Sequence, residues 1–240
     1  MFEDVIASRW SQIFAGQPLA IRTATKIRSI ASDMIQQFEY DYVIIDTSPS
    51  LGMLNRLIIS TVDGFIVPCT PDLFSLYGIK NIGKSIAKWT KDFDTISKVV
   101  DPKKLTGFPS RRSVFFGFTI YNARKNTRGR NEWEIAQAHY NYAKKIPEYI
   151  EQFIPTEARG GILTAAISAP IGGIAVMHSH STLPSMAQKY HTPIWGVPSS
   201  TKLDDEDRGT ISGNRAVYEA TRKKYIEFAK SCLQRMSMAV

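Results

Sequence analysis

Two short runs of consecutive apolar residues constrain the fold of this chain more than any other feature of its sequence. YVIID spans residues 42–46 and FIVPC spans residues 65–69. Each run is rich in Val and Ile and carries no alternating polar residues, which is typical of strands buried on both faces of a parallel sheet. VFFGFTIY at 114–121 and IWGV at 194–197 predict two further strands.

Segments with apolar residues at helical spacing separate these runs. Helices are predicted over residues 2–14, 22–39, 55–61, 75–98 and 132–142, from Pro147 onward, and in a final helix that carries Tyr218 and Met236. Strands that alternate with helices predict an α/β fold in three layers, with a mostly parallel sheet and helices on both of its faces. We expect a single domain over residues 1–240, with a helical lead-in at 1–40.

Composition excludes several classes of protein. Hydrophobic residues make up 43% of the 240 residues and charged residues 22%, which is ordinary for a globular protein and excludes global disorder. Cys69 and Cys232 lie far apart, so no disulfide framework is expected and a reducing compartment suits the chain. The first ten residues lack the pattern of a signal peptide, and no segment predicts a membrane span. We therefore expect a cytoplasmic protein.

Basic residues are concentrated in two regions of a chain whose net charge is +8. Residues 102–131 contain no acid and eight basic residues: Lys103, Lys104, Arg111, Arg112, Arg124, Lys125, Arg128 and Arg130. The final helix carries Lys223, Lys224, Lys230 and Arg235 away from its apolar residues. Such surfaces favour an anionic partner, either nucleic acid, a nucleotide or an acidic membrane surface. A merely solvated basic surface is the alternative.

Asp46 stands at the end of the first predicted strand. Ligands of open α/β sheets bind beyond the carboxyl ends of the strands. A carboxylate there can hold Mg²⁺, directly or through water, because magnesium prefers hard oxygen ligands. A structural role for a lone aspartate is the alternative.

The run DYVIIDTSPSLGMLNRLIISTVDGFIVPCTPDLFSLYGIKNIGK at residues 41–84 resembles the ParA/MinD family of P-loop ATPases. A strand ending in Asp, a Pro-Ser-containing switch segment, a helix, a strand ending near Pro and a Gly-containing helix follow one another in the family's order. Downstream, FGFTIYNAR, TLPSMAQKYHTPIWGVP and NRAVYEATRKKYIEFAKSCL are similar to later elements of the family. The resemblance covers residues 41–235.

The resemblance implies roles for individual positions. Asp46 corresponds to the catalytic Walker B aspartate, which acts on Mg²⁺ through water. The switch segment that senses the γ-phosphate corresponds to Thr47, Ser48, Pro49, Ser50 and Gly52. Asn122 corresponds to the asparagine that hydrogen-bonds the adenine base, since its amide offers both a donor and an acceptor. A turn-forming asparagine is the alternative at that position.

The resemblance also implies cofactors and partners. ATP and Mg²⁺ are the cofactors of the family. Nonspecific DNA, an adaptor protein resembling ParB and a second copy of the chain are the implied partners, and association with the nucleoid would follow. The residues that we expect to contact DNA phosphates are Arg111, Arg112, Arg124, Lys125, Arg128, Arg130, Lys223 and Lys224.

One element of the family pattern is not found before Asp46. The family's Lys-Gly-Gly-x-Gly-Lys-[Ser/Thr] loop cradles the phosphates, but residues 1–45 contain a single glycine, Gly16, and no Gly-Lys pair. The G-x-x-x-x-G-K-S pattern at 78–85 falls within a predicted helix, so we interpret it as accidental. We therefore expect a P-loop NTPase-like fold that is incomplete at its N-terminus.

Two functions remain open from the sequence. The chain is either part of an ATPase of DNA partition or cargo positioning, unable to hydrolyse ATP alone, or a nucleotide-independent module that binds DNA or another protein. In the first case an upstream segment or a partner chain would supply the phosphate-binding loop. In the second case the chain could also be a remnant on the same fold.

Overall fold

The structure is a computed structural model that describes residues 2–126, 131–162, 164–173 and 179–239. Its helices are α1 (Phe2–Phe14), α2 (Pro18–Ala24), α3 (Lys26–Phe38), α4 (Met53–Thr61), α5 (Leu73–Val99), α6 (Gln137–Ala143), α7 (Ile146–Phe153), α8 (Thr164–Ser168), α9 (Leu183–Lys189), α10 (Asp205–Gly213) and α11 (Arg215–Ala239). Short 3-10 turns lie at Pro102–Lys104, Thr156–Arg159 and Ile194–Ser199. The strands are β1 (Gly64–Cys69) and β2 (Val114–Ile120).

Strands β1 and β2 form a small parallel sheet. The N–H of Val114 donates to the carbonyl oxygen of Asp63 at 3.1 Å, and the N–H of Tyr121 donates to that of Cys69 at 3.0 Å. The two bonds run along both strands in the same direction, with seven residue steps between them on the β2 side and six on the β1 side. Helix α5 makes the long connection that a parallel pair requires. The strands predicted at 65–69 and 114–121 are therefore confirmed. The described residues are rich in helix, and the three-layer sheet predicted above is not seen among them.

The other two predicted strands are wrong. Residues 42–46 have no regular secondary structure, and the described sheet holds only β1 and β2. The apolar run consequently has no strand beside it among the described residues. At 194–197 the chain forms a 3-10 turn, in which Pro193 precedes the turn and Pro198 lies inside it. Each proline removes a backbone donor that a central strand needs.

The predicted helices are mostly confirmed, with differences at their ends. The helix predicted at 22–39 is two helices, α2 and α3, which meet at Thr25. The helix predicted at 132–142 begins only at Gln137, because the N–H of Ala136 donates to the carbonyl oxygen of Arg124 at 2.9 Å. The acidic run at 204–207 supplies the N-cap position and the first turn of α10.

The G-x-x-x-x-G-K-S pattern at 78–85 lies inside α5, where the backbone cannot form a phosphate-binding loop. Its second glycine has a packing role. A Cβ atom added at Gly83 would lie 2.3 Å from the carbonyl oxygen of Phe153 at the end of α7. Glycine thus allows the backbones of two helices to approach closely.

Internal contacts divide the chain into two compact units. The first consists of Met1–Phe65, Gly78–Phe115 and Tyr149–Gly160, and the second of Ile66–Tyr77, Phe116–Glu148 and Gly161–Val240. The single domain over residues 1–240 stays a prediction. Among the described residues, no helix is both long and apolar enough to cross a membrane.

The first unit encloses a buried arginine. Arg56 of α4 is only 8% exposed, and its guanidinium carbon lies 3.7 Å from the centroid of the Trp10 ring of α1. Its Nη2 forms an ion pair with Asp92 of α5. Burial lowers the pKa of Arg56, and the charge of Asp92 acts in the opposite direction. The apolar core around it includes Ile6, Ile13, Ala20, Ile21, Ala24, Leu57, Phe93, Ile96 and Val100.

The second unit buries a different arginine, against expectation. The sequence predicts Arg235 on the exposed basic side of α11, but it is 6% exposed. Its Nη1 donates to the carbonyl oxygen of Phe116 at 3.1 Å, and its Nη2 to that of Ala169 at 2.8 Å. A Cβ atom at Gly117, where φ is +129°, would lie 2.2 Å from Nη1. Glycine in β2 therefore makes the space that the guanidinium occupies.

Replacement of this arginine should destabilise the second unit. In Arg235→Met two buried carbonyl groups lose a charged donor, so we expect the free energy of unfolding to fall by about 1–3 kcal/mol. Arg222→Met is the matched control on the same helix, because its ion pair with Glu219 is exposed and should contribute less than about 0.5 kcal/mol. Urea unfolding measures both. Equal midpoints for the two variants would contradict the assignment.

Candidate functional site

The residues that correspond to the Walker B aspartate and to the switch segment lie in the first unit. Asp46 is exposed and stands at the end of the irregular segment 42–46. Among the described residues, no group of three His, Cys, Asp or Glu side chains is placed to hold a metal ion. Asp46 thus belongs to no such group. The metal-binding role of Asp46 stays a prediction.

Asn55, to which the sequence analysis gave no role, holds the switch segment in place. Its side chain is 3% exposed, and Nδ2 donates to the carbonyl oxygens of Ser48 at 2.6 Å and Ser50 at 2.7 Å. The hydroxyl oxygens of the two serines lie 3.2 Å apart. One amide thus connects both sides of Pro49 to α4. The signal in the sequence was an asparagine, Asn55, that closely follows a Ser-Pro-Ser loop.

Gly52 of the switch segment is required by the close approach of α1. A Cβ atom there would lie 2.1 Å from Glu3 Oε1, whereas its φ of −67° is ordinary for any residue. The same Glu3 oxygen accepts a long hydrogen bond of 3.4 Å from the N–H of Leu54. A carboxylate is favourable in the first turn of a helix, because it faces unpaired N–H groups and the positive end of the helix dipole. Glu3 thus stabilises the start of α4.

Asn122 lines a pocket of about 360 Å³ in the second unit. The pocket lies at the carboxyl ends of both strands, with Pro68 from β1 and Thr119 from β2 in its wall. Asn122 follows β2 with φ of +58°, a left-handed conformation that asparagine tolerates better than most residues. Its location agrees with the rule that ligands bind beyond the carboxyl ends of parallel strands.

Aromatic rings and an unpaired hydroxyl give this pocket its chemistry. The rings of His180 and Tyr225 stack with centroids 5.8 Å apart and an angle of 28°, and Phe228 adds a third ring to the lining. The Oγ1 atom of Thr119 is buried and has no hydrogen-bond partner among the described residues. A pocket with flat apolar walls and a few polar groups suits a small heteroaromatic ligand. Thr119 was not identified by sequence reasoning.

The predicted DNA-contacting residues divide between the two units. Arg111 and Arg112 belong to the first, and Arg124, Lys125, Lys223 and Lys224 to the second. Arg112 is held by Asp94 through two hydrogen bonds, from Nε at 3.0 Å and from Nη2 at 2.6 Å. Its charge is therefore matched by a carboxylate. Arg128 and Arg130 lie outside the described residues.

The second unit brings basic residues together from distant parts of the sequence. Partial burial, and then the positive charge of Lys125, lower the pKa of Lys224 below its ordinary value. Lys125 itself forms a long ion pair with Glu134, at 3.7 Å between exposed side chains. Arg124 and Lys223 are exposed. The backbone N–H of Arg124 donates to His139 Nδ1 at 3.0 Å, which anchors the start of this basic segment to α6.

Loss of the Asn55 amide should release the switch segment. In Asn55→Ala the carbonyl groups of Ser48 and Ser50 lose their donor, so backbone amides of Thr47–Gly52 should exchange with solvent faster. Hydrogen–deuterium exchange read by mass spectrometry measures this, and Asn81→Ala, at an exposed position of α5, is the control. Unchanged exchange in Asn55→Ala would show that the two hydrogen bonds do not hold the segment.

Comparisons with known proteins show which parts of the chain have relatives. Residues 4–98 match a family described as an AAA domain. A ParA family protein of Mycoplasma pneumoniae is 26% identical over 104 residues, which are 42% of this chain and 38% of that protein. An uncharacterized protein of Methanocaldococcus jannaschii is 40% identical over 57 residues, which are 23% of this chain and 20% of that protein. The chain thus matches less than half the length of these relatives.

One solved structure is similar in fold. A crystal structure of a Corynebacterium diphtheriae protein superposes with a TM-score of 0.50 at 20% sequence identity, over 76% of this chain and 57% of that chain. At this identity the likeness concerns the fold alone. The AAA-domain match and the ParA family relative confirm, over part of the chain, the predicted resemblance to the ParA-like P-loop ATPases.

Proposed function

We propose that the chain is a ParA-like protein of DNA partition or cargo positioning that binds DNA without sequence preference through its second unit. The observation that carries the proposal is the basic surface that the second unit assembles from distant parts of the sequence, where burial and the charge of Lys125 lower the pKa of Lys224 and the charge of Glu134 acts in the opposite direction. A phosphate near the two lysines would be attracted by both charges. Arg124 and Lys223 are exposed neighbours of these lysines in the sequence and extend the same basic surface.

The same proposal holds that the chain does not hydrolyse ATP by itself. Catalysis of phosphoryl transfer needs donors that surround the phosphates and a metal ion that neutralises them. The glycine-lysine pattern at 78–85 is helical, and Asp46 belongs to no cluster of three His, Cys, Asp or Glu side chains among the described residues. A nucleotide-independent DNA-binding or protein-interaction module on this fold is the alternative.

A second candidate activity is recognition of a nucleobase in the pocket at Asn122. The unpaired Thr119 Oγ1 and the stacked rings of His180 and Tyr225 favour it. Asn122 would offer a donor and an acceptor to the edge of an adenine, as its counterpart in the family implies. This proposal assigns no phosphate contacts to the pocket. The nucleobase alone would therefore supply the binding affinity.

DNA binding should depend steeply on salt. For a short fluorescent duplex, each phosphate contact contributes about −0.9 to the slope of log affinity against log salt concentration. Replacing Lys223 and Lys224 by Ala should therefore make the slope shallower by about 1.8, because each lysine would neutralise one phosphate. Lys202→Ala is the matched control, because Lys202 is an exposed lysine of the second unit outside the candidate set. Fluorescence anisotropy over a salt series measures the slopes.

Two results would contradict DNA binding through this surface. One is an affinity that does not change with salt, or no binding at low salt. The other is a double variant whose slope equals that of the Lys202 control. A slope that stays the same with and without ATP and Mg²⁺ would support the nucleotide-independent alternative.

The nucleotide prediction separates base recognition from phosphate recognition. ATP and adenosine should bind with similar, weak affinity in isothermal titration, and phosphate release from ATP should stay at background in both the wild type and Asp46→Ala. Thr119→Val and Asn122→Ala should each weaken adenosine binding about fivefold, the equivalent of one lost hydrogen bond of about 1 kcal/mol. Thr201→Val, at an exposed threonine of the second unit, should leave adenosine binding unchanged.

Three results would contradict the nucleotide prediction. ATP that binds far more tightly than adenosine would reveal phosphate contacts that the proposal excludes. Mg²⁺-dependent hydrolysis that disappears in Asp46→Ala would show a complete ATPase site. If Thr119→Val and Asn122→Ala left adenosine binding intact, the base would not bind in this pocket.

A further inference from the structure

Two aromatic side chains lie beside the basic residues of the second unit. Trp133 and Tyr140 pack with ring centroids 5.5 Å apart and an angle of 73°, which is an edge-to-face arrangement. Both side chains are only partly buried. Two rings at so steep an angle cannot cover both faces of each other, so at least one face of the Trp133 ring is not covered by Tyr140. The pair therefore differs from an aromatic contact enclosed in a core.

Backbone pairing connects this aromatic pair to the basic segment at 124–126. The segment runs antiparallel to residues 134–136, and a bridge between Lys125 and Ile135 joins the two. Trp133 directly precedes the paired stretch. The indole ring and the charge of Lys125 thus belong to the same small piece of local structure.

Positive charges from three other parts of the chain lie near the same rings. The Nζ atom of Lys144 lies 5.8 Å from the centroid of the Tyr140 ring, within the range of a cation–π contact. The N–H of Arg124 donates to Nδ1 of His139, the residue before Tyr140 in α6. Burial and then the charge of Lys125 lower the pKa of Lys224, which brings α11 to this region. Aromatic rings and cations are thus interleaved here.

We propose that this surface binds a single strand of nucleic acid, with an unpaired base stacked on the ring of Trp133. We call it the stacking surface, and its residues are Arg124, Lys125, Trp133, Tyr140 and Lys144. The inference rests on the proposed binding of DNA by the second unit. It adds the form of nucleic acid that is bound and a side chain that contacts a base.

The combination of rings with cations selects a single strand over other anionic partners. In a duplex the faces of each base are covered by the neighbouring base pairs, so an aromatic side chain finds no face to stack on. An acidic protein would satisfy the lysines but offers no array of flat rings. A single strand offers both phosphates and accessible base faces, and stacking of bases on aromatic side chains tolerates any sequence.

Binding of three labelled nucleic acids to the full chain tests the proposal. They are a short oligodeoxyuridine, an abasic strand of the same length, which keeps the phosphates and lacks the bases, and a duplex of that length. In fluorescence anisotropy at one salt concentration, the wild type should bind oligodeoxyuridine at least about fivefold more tightly than the abasic strand. Trp133→Leu should remove most of this difference. Its affinities for the abasic strand and the duplex should stay unchanged, because every positive charge is kept.

Tyr142→Leu is the matched control. Tyr142 is 37% exposed and lies two residues beyond Tyr140 in α6, which is about 200° around the helix axis. Its replacement also removes an exposed aromatic ring, but it should leave all three affinities unchanged. Because Trp133 is partly buried, thermal unfolding checks the fold of each variant. Trp133→Phe, which keeps a ring, should retain more of the preference for bases than Trp133→Leu.

The outcomes separate this inference from the proposed DNA binding. A wild type that binds the duplex but treats base-containing and abasic strands alike would overturn the inference alone. A preference for bases that survives Trp133→Leu, or that Tyr142→Leu lowers equally, would also overturn it. No binding of any of the three at low salt would overturn both proposals.

Oligouridine of the same length distinguishes the two sources of a single strand. RNA differs from the matched DNA strand only by its 2′-hydroxyl groups. Tighter binding of oligouridine than of oligodeoxyuridine would assign the stacking surface to RNA, and weaker binding would assign it to DNA. With either strand, Trp133→Leu should weaken binding at least about fivefold.

Discussion

The parallel pairing of β1 with β2 decides where the polar residues of the second unit meet. Parallel strands present their carboxyl ends at the same edge of a sheet, so Pro68 and Thr119 enter the wall of one pocket although about fifty residues separate them. Asn122 follows β2 at that same edge and turns away from the strand direction through a left-handed conformation. The strand pair therefore both forms the pocket and places Asn122 in its wall.

Buried arginines are the second constraint on both units. Arg56 joins α1, α4 and α5 through Trp10 and Asp92, and Arg235 joins α11 to β2 and to Ala169. A buried guanidinium is costly unless its donors are paired, so the contacts of Arg56 Nη2 and of the two Arg235 Nη atoms hold the elements around them in place. Arg56 Nε has no hydrogen-bond partner among the described residues. Gly117 shows the restriction directly, because any side chain there would occupy the space of Arg235 Nη1. A shift of the helices that carry Arg56 and Arg235 would therefore leave buried guanidinium N–H groups without acceptors.

The switch segment and the apolar run at 42–46 are neighbours in sequence but are held very differently. Thr47–Gly52 is anchored by Asn55 and by the approach of Glu3 to Gly52. Residues 42–46 have no such anchor among the described residues, and Ile44 faces solvent. A short stretch of the first unit thus combines an anchored turn with an unpaired apolar segment.

Local patterns in the sequence determined most helices, the strands β1 and β2, and the resemblance carried by residues 41–84. These follow from apolar spacing and motif order, which act over a few residues and need no tertiary contact. Tertiary structure alone decided that Arg235 is buried, because its charge predicted exposure and only the carbonyl groups of Phe116 and Ala169 make burial favourable. It likewise decided the roles of Asn55 and Thr119, whose hydrogen-bonding partners lie in other elements or are missing among the described residues. The apolar run at 42–46 failed as a strand prediction for the same reason, since a strand is stable only beside another strand, and composition does not supply its neighbour.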